Sequence, residues 1–177
     1  MSVLQSIATS LFPGHFVKTP PMPDFDLSRY LGEWYEIARL DNWFERGLCR
    51  VYARYGRNED GTISVTNGGY DMQTGERREA RARAVVGDAP NHLKVYFVPL
   101  VYGRYEIAFL DEHYSRAVVT GGSLKYLWLL AREPDLDEDV MGPMLDAARS
   151  LGYRTQDLIY TRACFRNGQG MPGCRHS

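Results

Sequence analysis

From Glu33 to Arg132 apolar and polar positions alternate in short runs rich in Val, Ile, Tyr and Phe, and Gly, Asn, Asp and Pro punctuate the gaps. A period of two places successive side chains on opposite faces of a strand, so the pattern predicts strands with one dry face. Eight of them fit, over 33–40, 49–57, 62–70, 77–86, 92–98, 102–111, 116–121 and 126–132. Asn58-Glu59-Asp60-Gly61, Thr74-Gly75 and the stretch from Gly87 to Asn91 supply turn residues that accept tight or left-handed backbone. Strands joined through turns this short pair in sequence order, which gives an antiparallel, up-and-down all-β sheet.

In the second strand Val51, Ala53 and Tyr55 oppose Arg50, Arg54 and Arg57, less regularly at Tyr52. In the fourth, Ala80, Ala82 and Ala84 oppose Arg81 and Arg83. Small residues on a dry face leave space. An eight-stranded barrel can keep that space as a lumen for one small ligand, whereas a sandwich would fill it. Alanines set against bulky neighbours are the alternative.

After Arg132 the period changes. Val140, Met141, Met144, Leu145, Ala148 and Leu151 recur at helical spacing, with Asp137 placed to cap the start and Gly152 the end. Pro143 predicts a kink, or a helix that starts near Gly142, because proline inside a helix removes a hydrogen bond. The helix is expected outside the barrel with its methionines against the wall, and a short last strand is expected over 157–161.

The 177 residues suit one domain, and 44% hydrophobic with 24% charged residues is ordinary globular composition. A net charge of -1 offers no field for phosphates, so nucleic acid is not an expected partner. No run reaches the roughly 18 apolar residues of a membrane-spanning helix. The stretch 2–16 is mildly apolar but has no Lys or Arg near Met1 and no clear cleavage site, which makes it a weak export signal. Pro20, Pro21 and Pro23 then form an extended lead-in. The expected division is 1–24 lead-in or export segment, 25–163 folded domain and 164–177 flexible tail.

The run Tyr30-Leu31-Gly32-Glu33-Trp34-Tyr35-Glu36-Ile37-Ala38-Arg39 resembles the Gly-x-Trp opening of the lipocalins, in particular the branch of bacterial lipocalin and apolipoprotein D. Phe44-Glu45-Arg46-Gly47, Leu110-Asp111 with Tyr114, and the run from Tyr126 to Arg132 follow in the family's order, so the resemblance covers about Phe25 to Thr161. It implies an eight-stranded antiparallel up-and-down barrel with one C-terminal amphipathic helix packed outside and a short final strand. It also implies a carrier that holds a fatty acid, a lysophospholipid or a similar small hydrophobic ligand, in membrane lipid transport or maintenance, with no cofactor and no catalytic residue. A lipocalin-fold enzyme acting on a hydrophobic substrate is the alternative. Gly32, Trp34, Asp111, Tyr114 and Arg132 are structural in this reading: Trp34 opens the first strand and Arg132 ends the last, so closure lays the guanidinium on the indole at the barrel floor.

Inward parity and the family's layout together give the expected ligand contacts: Ala38, Val51, Ala53, Tyr55, Val65, Asn67, Ala82, Ala84, Val95, Phe97, Tyr105, Ile107, Tyr126 and Trp128. Small residues mixed with aromatic ones suit an acyl chain, which gains about 0.8 kcal/mol per buried methylene. Glu36 and Asn67 are the candidate polar handles. Trp43 and Phe44, in the first loop, are expected to lie exposed at the open end, as a lid or as a peripheral membrane contact near Arg46 and Arg50.

His15, His92, His113 and His176 are scattered without partners at metal spacing, so no metal is expected. Neither a nucleophile elbow nor a phosphate-cradling loop occurs. Glu36, Asp41, Glu45 and Glu106 are the carboxylates from which an acid–base pair would be drawn, and solvated or salt-bridged roles suit them better. Cysteines stand at 49, 164 and 174. In the apolipoprotein D branch a cysteine matching Cys49 is bridged to the C-terminal segment, which implies Cys49–Cys164, with Cys49–Cys174 or three free thiols as alternatives. A bridge places the protein in the periplasm or at the outer membrane. No Cys precedes Phe25, so no lipid anchor is expected; the cytoplasm is the alternative compartment. A monomer or homodimer is expected.

Overall fold

The computed structural model describes residues 16–161. The strands run β1 Gly32–Arg39, β2 Leu48–Arg57, β3 Ile63–Asp71, β4 Arg77–Val86, β5 His92–Val98, β6 Val101–Leu110, β7 Arg116–Thr120 and β8 Leu127–Ala131, all close to the ranges expected from the alternation. Each pairs antiparallel with the next, and β1 pairs with both β2 and β8, which closes the barrel. A ninth strand, β9 Ile159–Tyr160, lies against β1 at Ala38 and Arg39, beyond the stretch that β2 covers.

Two apolar clusters follow from this closure. One fills the barrel: Trp34, Tyr55, Ile63, Val65, Ala84, Leu93, Val95, Ile107, Ala117, Val119 and Leu130 are buried there. The other lies outside the wall, where Ile37, Ala38, Val118, Leu127, Leu129 and Ala131 meet Met141, Met144 and Ala148. Those last residues belong to a 3-10 turn, Glu138–Met141, and to the helix after it, Gly142–Ser150. Pro143 sits in the first helical turn, where a missing N–H costs nothing, so the chain resolves the expected kink by starting the helix at Gly142.

Two register shifts decide which residues face inward. In β1 a bulge between Glu36 and Ala38 pairs Ala38 with Leu129 of the outer cluster and Arg39 with Trp128 of the inner one. Ala38 therefore does not line the lumen as parity predicts; Arg39 takes its place. In β6 a shift between Ile107 and Phe109 turns Phe109 outward and returns Leu110 to the interior.

A short helix absent from the strand pattern, α1 Leu27–Tyr30, plugs the closed end. Asp26 caps it by accepting from the Ser28 N–H at 2.8 Å, and the Asp26 N–H donates to the Tyr114 hydroxyl at 2.8 Å. The Arg132 guanidinium lies 4.0 Å from the Trp34 ring centre and donates to the carbonyls of Arg29, Tyr30, Leu31, Glu33 and Tyr114 at 2.8–3.2 Å. Gly32 permits this: its φ is +99°, and a Cβ there would stand 3.2 Å from Arg132 Nη1. Asp111 holds the neighbouring turn by accepting from Ser115 and Arg116 N–H groups at 2.6 and 2.7 Å. All five expected structural residues thus meet at one end.

Candidate ligand-binding site

Inward-facing residues divide by what they touch. Tyr55, Val65, Ala84, Val95 and Ile107 are buried in the packed lower interior, against Tyr30, Trp34 and Leu93. Ala53, Ala82, Tyr105 and Trp128 face the same interior yet stay partly accessible, and Asn67, paired with Ala53 and Ala80, does likewise. An inward side chain that keeps contact with solvent is not fully packed over, so these five mark the part of the interior that packing leaves accessible. Val51 is buried on the upper wall, its Cγ2 3.3 Å from where a Cβ on Gly69 would stand.

Two expected contacts sit at the rim. Phe97 is 53% exposed, because the β5–β6 register breaks between Tyr96 and Val98 and the strand end splays from the wall. Tyr126 precedes β8 and stacks on Trp128 at 6.0 Å with an 8° interplanar angle. Phe44 covers both rings at 6.1 and 6.4 Å, while Trp43, 76% exposed, meets Phe44 edge-on. The first loop thus divides its work: Phe44 closes over the mouth and Trp43 projects from it.

At the bottom of the lumen three phenols meet. The Tyr30 and Tyr105 hydroxyls share a hydrogen bond at 2.6 Å and Tyr55 donates to Tyr105 at 2.8 Å. Burial raises all three above the ordinary tyrosine range, so they stay neutral donors and acceptors. Alternation alone could not place Tyr30, because it belongs to α1 and not to a strand.

A polar collar lies higher, on β1, the first loop and β8. Arg39 Nη1 donates to Glu36 Oε1 at 2.6 Å and Nη2 to the Glu45 carbonyl at 3.1 Å, and its Nε stands 3.6 Å from Glu45 Oε2. Trp128 Nε1 donates to the same Glu45 oxygen at 3.0 Å, as does the Asn42 amide. Glu36 and Arg39 are almost wholly buried. Burial, reinforced by the charge of Glu45 and opposed by Arg39, lifts the Glu36 carboxyl to about 8. Glu36 is therefore the inward polar residue that parity indicates, but its partners Arg39 and Glu45 are missing from the expected contacts. The bulge that turns Arg39 inward leaves no mark in the alternation.

Among the described residues no group of three metal-ligating side chains is placed to hold an ion. Cys164 and Cys174, His15 and His176, and the stretch 2–15 lie outside the described residues, so the pairing of Cys49, itself buried, is not shown.

A closed antiparallel barrel, plugged at one end and ringed by aromatic side chains at the other, is the architecture of a protein that holds a small molecule inside itself. The lipocalin-like domain family matches residues 25–163. The chain is 44% identical over 145 residues to the outer membrane lipoprotein Blc of Vibrio cholerae, covering 80% of this chain and 85% of that one. It is 27% identical over 163 residues to mouse apolipoprotein D, covering 83% of each. Insecticyanin from the tobacco hornworm shares the fold with a TM-score of 0.65 at 17% identity, over 85% of this chain and 87% of its own. The chain belongs to the lipocalin family, in its bacterial lipocalin and apolipoprotein D branch, and the family's barrels bind small hydrophobic ligands.

Proposed function

We propose that this lipocalin carries a single-chain lipid, a fatty acid or lysophospholipid, in the bacterial envelope and serves membrane lipid transport or maintenance. The carrying observation is the set of inward residues that stay accessible: Ala53, Asn67, Ala82, Tyr105 and Trp128 outline a lumen of small and aromatic side chains. Such a surface gains about 0.8 kcal/mol per methylene it removes from water. A lipocalin-fold enzyme has less support, since the inward carboxylates Glu36 and Glu45 are both engaged by neighbouring donors. The envelope assignment leans on relatives named as outer membrane lipoproteins. That name leaves the expectation of an unanchored chain without support.

Native mass spectrometry followed by lipid extraction tests the carrier reading, with one lipid per barrel as the expected result. Protein isolated without lipid that also leaves Trp128 fluorescence unchanged across a panel of single-chain lipids would refute it. A membrane contact at the mouth is favoured by a rim of exposed apolar side chains: Trp43 at 76%, Leu100 at 92% and Val101 at 50%. Vesicle flotation of the parent and of Trp43→Ser/Phe44→Ser decides it, and equal flotation removes the contact.

A further inference from the structure

The polar collar carries more than a generic handle for a lipid head. Two carboxylates, Glu36 and Glu45, share one guanidinium, Arg39, and the contacts are unevenly spread. Glu45 Oε2 receives Asn42 and Trp128, while among the described residues nothing donates to Glu45 Oε1. Glu36 Oε2 and Arg39 Nε are both buried without a hydrogen-bond partner, so the two spare acceptors, Glu36 Oε2 and Glu45 Oε1, outnumber one spare donor. Arg39 Nη1 and Nη2 are committed to Glu36 and to the Glu45 backbone, and its Nε is screened from a lipid anion by the carboxylate 3.6 Å away.

Aromatic faces adjoin the same carboxylate. Trp128 donates to Glu45 through its indole N–H, Tyr126 lies parallel to Trp128, and Phe44 precedes Glu45 in the chain and tilts over both rings. A carboxylate bordered by aromatic rings attracts ammonium groups, since the ring quadrupole and the anion act on a cation in the same direction. Glu36, Arg39 and Glu45 together carry no net charge while Glu36 holds the proton that its burial favours, and one negative charge once that proton leaves. An incoming cation balances it; an incoming carboxylate or sulfate adds to it.

We propose that the barrel mouth recognises a positively charged ammonium group on its ligand, held between the Glu45 carboxylate and the rings of Phe44, Tyr126 and Trp128. The inference rests on the carrier reading and sharpens it, because it separates amine-bearing single-chain lipids from anionic ones of the same tail. Glu36 tunes the site: its raised carboxyl takes a proton when no cation is present and loses it when one arrives.

The test uses four amphiphiles with one common tail, dodecyltrimethylammonium, dodecylammonium, dodecyl maltoside and dodecyl sulfate, titrated below micelle formation with calorimetry and tryptophan fluorescence as readouts. Both ammonium compounds are expected to bind roughly tenfold more tightly than the maltoside, with the sulfate weakest. In Glu45→Gln, which keeps an acceptor for Asn42 and Trp128, the ratio of ammonium to maltoside affinity should fall to about one. A parent protein that binds the sulfate as tightly as the ammonium compounds overturns the site, and so does a folded Glu45→Gln that keeps the preference. The parent's own ranking decides the matter if the variant does not fold. Binding of all four alike defeats the ammonium site and leaves the carrier standing, whereas binding of none defeats the carrier itself.

Discussion

Replacing Arg132 by alanine should destabilise the barrel strongly while leaving its lumen intact. The guanidinium donates to five carbonyls, those of Arg29, Tyr30, Leu31, Glu33 and Tyr114, and stacks on Trp34. It therefore ties α1, the start of β1 and the β6–β7 turn to the end of β8. A charged hydrogen bond is worth about 1.5–3 kcal/mol and a partly desolvated cation–π contact about 1–2 kcal/mol, but five bonds to one group are not additive. Side-chain exposure at this end lets water replace some of the lost donors, so the expected loss is about 3–4 kcal/mol, close to that of breaking a buried charged contact. Arg132→Lys should fall between, because an ammonium cannot span five carbonyls.

The assay is urea unfolding followed by tryptophan fluorescence, with ligand affinity measured on each variant at a temperature where it is folded. A shifted midpoint with unchanged slope and unchanged affinity is the expected pair of results. Stability within 1 kcal/mol of the parent, or parental stability with lost affinity, would refute the placement of Arg132 in the floor.

Three further outcomes are expected. Gly32→Ala should cost about 1–3 kcal/mol, since φ is +99° and the new methyl crowds Arg132 Nη1; thermal melts check it, and a neutral result would show that the turn relaxes freely. Glu36 keeps its proton to about pH 8 when folded against 4.5 ordinarily, so folding takes up a proton in that window and stability falls as pH rises through it, by up to about 1.4 kcal/mol per unit. Glu36→Gln should flatten that slope in pH-dependent urea titrations, and an unchanged slope would assign it elsewhere. Non-reducing peptide mapping of alkylated protein from its native host should find Cys49 bridged to Cys164 or Cys174, a crosslink over a loop of more than a hundred residues, for which chain entropy allows about 4–5 kcal/mol; three alkylated cysteines would refute the bridge.

Most of the barrel is legible in the sequence because period-two alternation survives wherever one face is dry and the other wet. The β4 run of Ala82 and Ala84 against Arg81 and Arg83 is the plainest case, with Ala84 buried, Ala82 partly buried and both arginines exposed, while Ala80 at the end of the run is exposed. Legibility fails where something other than alternation sets the conformation. The four-residue helix α1 is too short for a helical period, and its evidence is only the cap at Asp26. The edge of β5 is read one step too far at Phe97, because a strand end that leaves the wall keeps its alternation after its face has lost its meaning.

The bulge in β1 has the largest functional consequence of these departures. Beyond Tyr35, β2 no longer pairs with β1, and β9 takes that edge instead. Thr161, just past β9, donates its hydroxyl to the Glu36 carbonyl at 2.8 Å and its N–H to the Ile37 carbonyl at 2.9 Å, so the C-terminal strand grips the bulge itself. A one-residue shift in a strand reverses the facing of everything after it. Here the reversal exchanges an alanine for an arginine on the inner wall, and Arg39 sets a cation between the buried Glu36 and the partly buried Glu45. Without the shift Glu36 would face Glu45 with no cation between them, and the mouth would be either apolar or unstable. The polar collar is thus a product of strand pairing far along the chain, which is why the first forty residues alone do not disclose it.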